Sequence, residues 1–338
     1  VGSSNLPIQL TNFIGRQTEI EHVRRTLDDH RLVTLTGAGG AGKTRLAVQV
    51  ATMVAGEFDG VCYIDLAPIN HPEAVAVTAA RTLNLPDQPG RSTTETLQRF
   101  LRDRRLLLVL DNCEPLLEAS AQLATAILAG AQQLSILATS REPLGVSGEA
   151  TWQVPSLPLA DEAVALFADR ARLARSSFSL TEDNTSSVTE ICRRLDGMPL
   201  AIELAAARVR TLTLTEIVDS LHDRFRLLTG GSRTSVRRQQ TLRASVDWSH
   251  ALLTDNERIL FRRLAVFLGG FDLDAARAIA GDDTIERYQV LDQLTLLADK
   301  SLVVTDDTGG RTRYRLLETM RQYALEKLGE SGEADAVR

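Results

Sequence analysis

The octapeptide Gly37-Ala38-Gly39-Gly40-Ala41-Gly42-Lys43-Thr44 constrains this chain more than any other stretch. It fits the pattern G-x-x-x-x-G-K-[ST] and has the flanks that give the pattern meaning. An apolar, β-branched run, Leu32-Val33-Thr34-Leu35-Thr36, precedes it, and a helical pattern, Arg45 to Val50, follows. Strand, glycine loop and helix in that order let backbone N–H groups wrap closely around phosphates, because glycine has no Cβ. The helix N-terminus adds about half a positive charge on the same side. Lys43 is then placed to reach β- and γ-phosphates, and Thr44 to offer its hydroxyl to Mg²⁺. The alternative is an ordinary Gly-rich strand-to-helix turn.

A second stretch supports the phosphate reading. Leu106 to Leu110 is five apolar residues in a row, which suits a strand buried on both faces of a parallel sheet, and Asp111 ends it. Ligands bind at that end of such sheets. Asp111 is therefore the expected Walker B acid, holding Mg²⁺, with a helix cap as the alternative. Asn112 follows where many efficient ATPases carry a second acid, and an amide cannot act as a base at neutral pH. Glu114 either substitutes as the base or is an exposed residue at a helix start. Slow hydrolysis is expected, and Asn112→Asp is expected to raise it. Arg141, at the end of the run Leu134 to Ser140, is either a γ-phosphate sensor or a surface arginine. With strands at Val61–Leu66 and Thr151–Val154, residues 1–155 read as a five-stranded parallel sheet. Helices through Leu27, over Pro72–Leu83, Thr94–Leu101 and Leu116–Ala129 cover both faces.

The chain has 338 residues, enough for two or three domains. Its net charge is −6, and residues 1–155 carry 13 Lys/Arg against 16 Asp/Glu, so neither part is basic in the way a nucleic-acid binder is. Cys62, Cys113 and Cys192 are few and far apart, which argues against a disulfide scaffold or a zinc site and for a reducing compartment. No signal pattern and no apolar run of membrane length is present, so a cytoplasmic location is expected. Val1 in place of Met fits a fragment or a processed chain.

Beyond Pro155 the pattern is helix after helix. Residues 156–232 read as an all-helical domain, with a break at Asp196-Gly197-Met198-Pro199-Leu200. Gly230 to Ser235 has the composition of a linker, locally basic through Arg233, Arg237, Arg238 and Arg243. Residues 233–338 carry helices, then Leu302–Val304 and Tyr314–Leu316 around the turn signal Asp306-Asp307-Thr308-Gly309-Gly310, then a helix over Glu318–Leu328. Helices followed by a hairpin suit a winged helix. The acidic wing tip favours packing between domains over DNA binding. The histidines are scattered, and no second catalytic set emerges.

Together these residues resemble the STAND class of P-loop NTPases, in its NB-ARC or AP-ATPase branch, and most closely the ATPase module of bacterial LuxR- and SARP-type transcriptional regulators. The resemblance covers nearly the whole chain. Phe13-Ile14-Gly15-Arg16 is similar to the family's leading motif, which implies nucleotide contacts for Ile14, Gly15 and Arg16. Gly37 to Thr44 is the Walker A loop, with Arg45 next to it among the implied nucleotide contacts. Thr139-Ser140-Arg141 resembles the γ-phosphate sensor. Gly197-Met198-Pro199-Leu200 resembles the G-x-P motif, which implies that Pro199 packs on adenine. Leu317 stands where the family's winged helix usually carries a histidine that holds the β-phosphate of ADP. The resemblance implies an ATP/ADP switch with slow Mg²⁺-dependent hydrolysis, acting on domain opening or homo-oligomerisation. It also implies partners within a longer polypeptide: sensor repeats and a DNA-binding helix-turn-helix. A regulator binding DNA directly through its winged helix is the alternative.

Overall fold

β1 (Leu32–Thr36) is buried at every residue. It lies between β4 (Ser135–Thr139) and β5 (Glu149–Gln153), pairing in parallel with both. The full strand order is β2-β3-β4-β1-β5, with β2 (Gly60–Asp65) and β3 (Leu106–Asp111) also parallel. Parallel pairing demands crossovers, and these cover both faces. Alternation along each strand sorts the core. Leu108, Leu110 and Ile136 pack with residues of α3 (Ala74–Thr82), α4 (Thr93–Leu101) and α5 (Leu117–Gly130). Val33, Leu35, Leu107, Val109 and Leu137 pack with α1 (Gln17–Asp29) and α2 (Lys43–Val54). Each fully buried Leu or Val contributes about 1.5–3 kcal/mol, so this double-sided core makes the strand ends rigid.

The computed structural model describes residues 4–221, 227–228, 242–280, 285–308 and 311–334, without the side chains of 307 and 308. The expected linker at 230–235 lies outside the described residues. Residues 1–37 and 42–155 form one compact unit; residues 38–41 and 156–338 form the other. Some expected boundaries shift. The helix expected from Pro72 begins at Ala74, and β5 runs over Glu149–Gln153 instead of Thr151–Val154.

In the second unit, α6 (Glu162–Ala174) packs on α7 (Glu182–Arg194) and α8 (Pro199–Ala206), and α7 on α9 (Leu214–Ser220). The turn before α8 leaves no room for a side chain at Gly197. Its φ is +64°, and a Cβ there would sit 2.3 Å from the Leu157 carbonyl oxygen. The winged helix comprises α10 (Leu242–Ala251), α11 (Asp255–Arg263), α12 (Leu273–Ala280), α13 (Gln289–Asp299), β6 (Val304–Thr308), β7 (Arg311–Arg315) and α14 (Glu318–Ser331). β6 and β7 are antiparallel, and Phe271 bridges to Tyr314 on the other edge. Thr254 caps α11 in a capping box with Glu257. Asp196 closes the unit further: its Oδ2 accepts from the backbone N–H of Glu318, at 2.9 Å, at the start of α14.

Candidate nucleotide-binding site

The glycine loop leaves the C-terminal end of β1. Gly37, Gly40 and Gly42 all have positive φ, at 147°, 89° and 91°. At Gly40 the requirement is double: a Cβ would also lie 2.9 Å from Leu200 Cβ. Gly42 is the N-cap of α2, so the helix begins at Lys43 with no side-chain cap. Its first N–H groups are thus left for an anion. The Lys43 ammonium donates to the Gly37 carbonyl at 2.7 Å, across the mouth of the loop.

Asp111, at the end of β3, is the hub of the site. Its Oδ1 accepts from the hydroxyls of Thr44 (2.7 Å) and Thr139 (2.5 Å). Its Oδ2 accepts from the Tyr63 hydroxyl and the Asn112 amide, both at 2.7 Å. All four donors are uncharged, and the carboxylate is almost wholly buried. Burial raises its pKa above the ordinary carboxylate value. The hydrogen bonds from Thr139, Tyr63 and Thr44 oppose that rise, and nearby Asp65 adds to it. β4, placed between β1 and β3, explains the convergence: it delivers Thr139 beside Asp111, while β1 delivers Thr44 through the loop. The helix-cap alternative for Asp111 does not describe this arrangement. A buried carboxylate held by neutral donors, touching a threonine hydroxyl, is an oxygen set suited to a hard dication. Thr44 and Asp111 are the residues that would hold Mg²⁺, which would supply neutralising charge to bound phosphates.

Asn112 sits in the left-handed region at φ 65°. Its amide is turned back onto Asp111 and, at 3.4 Å, onto Asp65 Oδ1. The gain of hydrolysis expected from Asn112→Asp assumed a side chain facing the attacking water; this geometry favours an orienting role instead. Glu114 and Arg141 are both buried, with side chains 5% exposed, and they meet at 3.5 Å between Arg141 Nε and Glu114 Oε1. Neither the exposed-helix-start reading of Glu114 nor the surface reading of Arg141 survives.

The remaining residues divide. Gly15 (φ 71°) and Arg16 (φ 63°) form a left-handed bend before α1, with Ile14 half-buried before them. Arg16 is buried and donates to the Pro155 carbonyl at 2.8 Å, tying the leading segment to the end of the sheet. Arg45 turns to the carbonyls of Thr11 and Asn12, both at 3.0 Å, and lies over the Phe13 ring. It secures the leading segment. Pro199 is the first residue of α8, and Leu200 N–H donates to the Gly40 carbonyl at 3.2 Å within the second unit. Ala38, Gly39 and Ala41 complete the loop tip, where Ala41 N–H donates to the Ala38 carbonyl. Sequence reading missed Tyr63 and Asp65. The available signal was a second apolar strand ending in Asp: register pairs Asp65 with Asp111.

Fold and site together define a P-loop NTPase architecture followed by helices and a winged helix. Residues 16–170 match the NB-ARC domain family, and residues 253–329 match a winged helix-turn-helix domain family. The chain belongs to the NB-ARC family of STAND P-loop NTPases and carries a winged helix-turn-helix domain. It is 62% identical over 314 residues to the Mycobacterium tuberculosis H37Rv protein named "Putative HTH-type transcriptional regulator Rv0890c", covering 93% of this chain and 35% of the relative. It is 53% identical over 330 residues to the uncharacterized protein Rv0894 of the same strain, covering 97% and 84%. It is 29% identical over 343 residues to the regulatory protein AfsR of Streptomyces griseus, covering 95% and 33%. The chain thus spans about a third of the length of the named regulators. Among solved structures, the ORC2 protein of Aeropyrum pernix shares the fold at a TM-score of 0.57 and 15% identity, covering 99% and 98% of the two chains.

Proposed function

We propose that this chain is an adenine-nucleotide-operated switch module of a transcriptional regulator, with slow Mg²⁺-dependent ATP hydrolysis. The carrying observation is the Thr44–Asp111 pair, hydroxyl on carboxylate at 2.7 Å, at the root of a loop whose Lys43 and helix start are set for phosphate. Gly37 to Thr44 cradle the phosphates, Lys43 contacts the β- and γ-phosphates, and Arg141 reads the γ-phosphate. Ile14, Gly15 and Arg16 line the nucleoside end, and the family resemblance implies an adenine contact for Pro199. The working parts are residues 1–155, 156–232 and 233–338. A nucleotide can drive such parts between arrangements only through unequal affinity for them. Leu317, buried at the start of α14, offers no imidazole to a diphosphate, so ADP is held here without that contact. Among the described residues no helix is long and apolar enough to cross a membrane. We place the protein in the cytoplasm.

The test is nucleotide binding by calorimetry, with mass spectrometry of whatever nucleotide copurifies. Lys43→Ala is expected to abolish binding of ADP and ATP alike; undiminished affinity would put the site elsewhere.

A second reading, direct DNA binding, has one observation for it: Arg311, Arg313 and Arg315 are exposed along β7. Against it, α13 is the helix such domains lay in the major groove. Its exposed positions include Leu291, Asp292, Thr295, Leu296 and Asp299, and residues 289–299 hold no Lys or Arg. Duplex phosphates would meet net negative charge there. No shift of duplex DNA on a low-salt gel is expected.

A further inference from the structure

We propose that Glu114 competes with the terminal phosphate for Arg141, and so sets how sharply the site distinguishes ATP from ADP. The inference rests on the nucleotide-switch reading and gives Glu114 a positioning role in place of the catalytic base.

The chain geometry puts the pair beside the phosphate machinery. Glu114 follows Asp111 by three residues, at the start of a short 3₁₀ turn. Arg141 follows Thr139 by two, and Thr139 bonds both Asp111 and the Asn112 backbone. Solvent reaches neither side chain appreciably. Their contact is nonetheless loose. Charge-assisted hydrogen bonds run about 2.7–2.9 Å, whereas Arg141 Nε lies 3.5 Å from Glu114 Oε1. Glu114 Oε2 is buried and has no hydrogen-bond partner among the described residues. A buried carboxylate so thinly engaged depends on the neighbouring guanidinium for nearly all its compensation. Such a pair is made to be broken by a stronger anion. A terminal phosphate is more highly charged and offers three acceptor oxygens in a geometry a guanidinium matches.

Glu114 faces the Arg141 guanidinium, the same group a terminal phosphate would take. The competition has a thermodynamic consequence. ATP must displace Glu114 from Arg141, which lowers its apparent affinity; ADP, with no terminal phosphoryl group, leaves the pair in place. Glu114 therefore pulls the ATP-to-ADP affinity ratio down.

The experiment is calorimetry on the full chain with Mg²⁺, using ADP and a non-hydrolysable ATP analogue. Glu114→Gln keeps the shape and removes the charge. It is expected to raise the ratio of analogue to ADP affinity about 5–10-fold. In Glu114→Gln/Arg141→Met the rise is expected to vanish, because the competed group is gone. An unchanged ratio in Glu114→Gln overturns the proposal, as does a rise that persists in the double variant. Thermal melting confirms folding of each variant. If the amide does not fold, Glu114→Met, of similar volume, carries the same two outcomes. Lys43→Ala separates the two levels: if it binds both nucleotides normally, the switch reading fails. If it binds neither while Glu114→Gln leaves the ratio unmoved, only this inference fails.

Discussion

Glu257 and Asp111 are both buried carboxylates, and the molecule treats them in opposite ways. Glu257, in the winged helix, is fully buried, caps α11 through the Thr254 N–H at 2.6 Å, and meets the Lys300 ammonium at 2.6 Å. Its charge is answered inside the protein. Asp111 is as deeply buried and more richly hydrogen-bonded, yet its four donors are neutral. Neutral donors orient a carboxylate but do not cancel its charge. The first arrangement is closed and holds a domain together. The second is left short of positive charge, at the place where a cation and phosphates would complete it. Burial alone thus says nothing about function; the charge of the partners separates structure from site.

The comparison breaks most visibly at Lys300. Lys300→Met leaves Glu257 charged, buried and unanswered, which costs roughly 3–5 kcal/mol. Thermal or urea unfolding of the winged helix should show a loss of that order, while nucleotide affinity per folded molecule stays at the parent value. A variant as stable as the parent would mean that the pair is not holding α11 to the end of α13. At the site the expected effect is smaller and depends on metal. Asn112→Asp replaces the amide that bridges Asp111 and Asp65 with a third carboxylate. It should lower stability in Mg²⁺-free buffer by roughly 1–3 kcal/mol, the cost of a lost buried donor. Added Mg²⁺ should recover more for this variant than for the parent, and hydrolysis should not rise. Equal Mg²⁺-free melting curves would remove the orienting role assigned to Asn112.

The two carboxylates also differ in how far they could be read from the sequence. Asp111 was legible because position carried the information: an apolar run on a parallel strand ends where ligands bind. The sheet and the glycine loop were legible for the same reason, since each is a local pattern with a fixed period or spacing. Nothing local to Glu257 announces that Lys300, 43 residues on, comes to meet it. Glu114 was harder still. Three residues past a strand end, a glutamate at a helix start is ordinarily solvated, and its burial depends on β4 bringing Arg141 alongside. Asn112 was read for what its type cannot do, as a base, because its left-handed φ and inward amide are consequences of the strand end. What escaped the sequence was side-chain direction, which long-range pairing decides.

The smallest effect is a pH dependence near the same winged-helix core. His250, late in α10, packs its ring 6.2 Å from that of Phe261 and 5.5 Å from that of Tyr323. Partial burial lowers its pKa below the ordinary imidazole value, and the charges of Arg258 and Lys327 push the same way. Asp247 and Glu330 push back without reversing the direction. The folded state therefore takes up a proton less readily than the unfolded chain. The stability contributed by a neutral His250 is fully present above the unfolded pKa, about 6.5. It is lost as pH falls from there through the depressed folded value. Between pH 7.5 and pH 5 the winged helix should lose a small amount of stability for this reason. His250→Gln should flatten that part of the profile while leaving the loss caused by Lys300→Met unchanged. If the slope from pH 7.5 to 5 persists in His250→Gln, the titrating group lies elsewhere, and the aromatic packing around this ring carries no proton-linked cost.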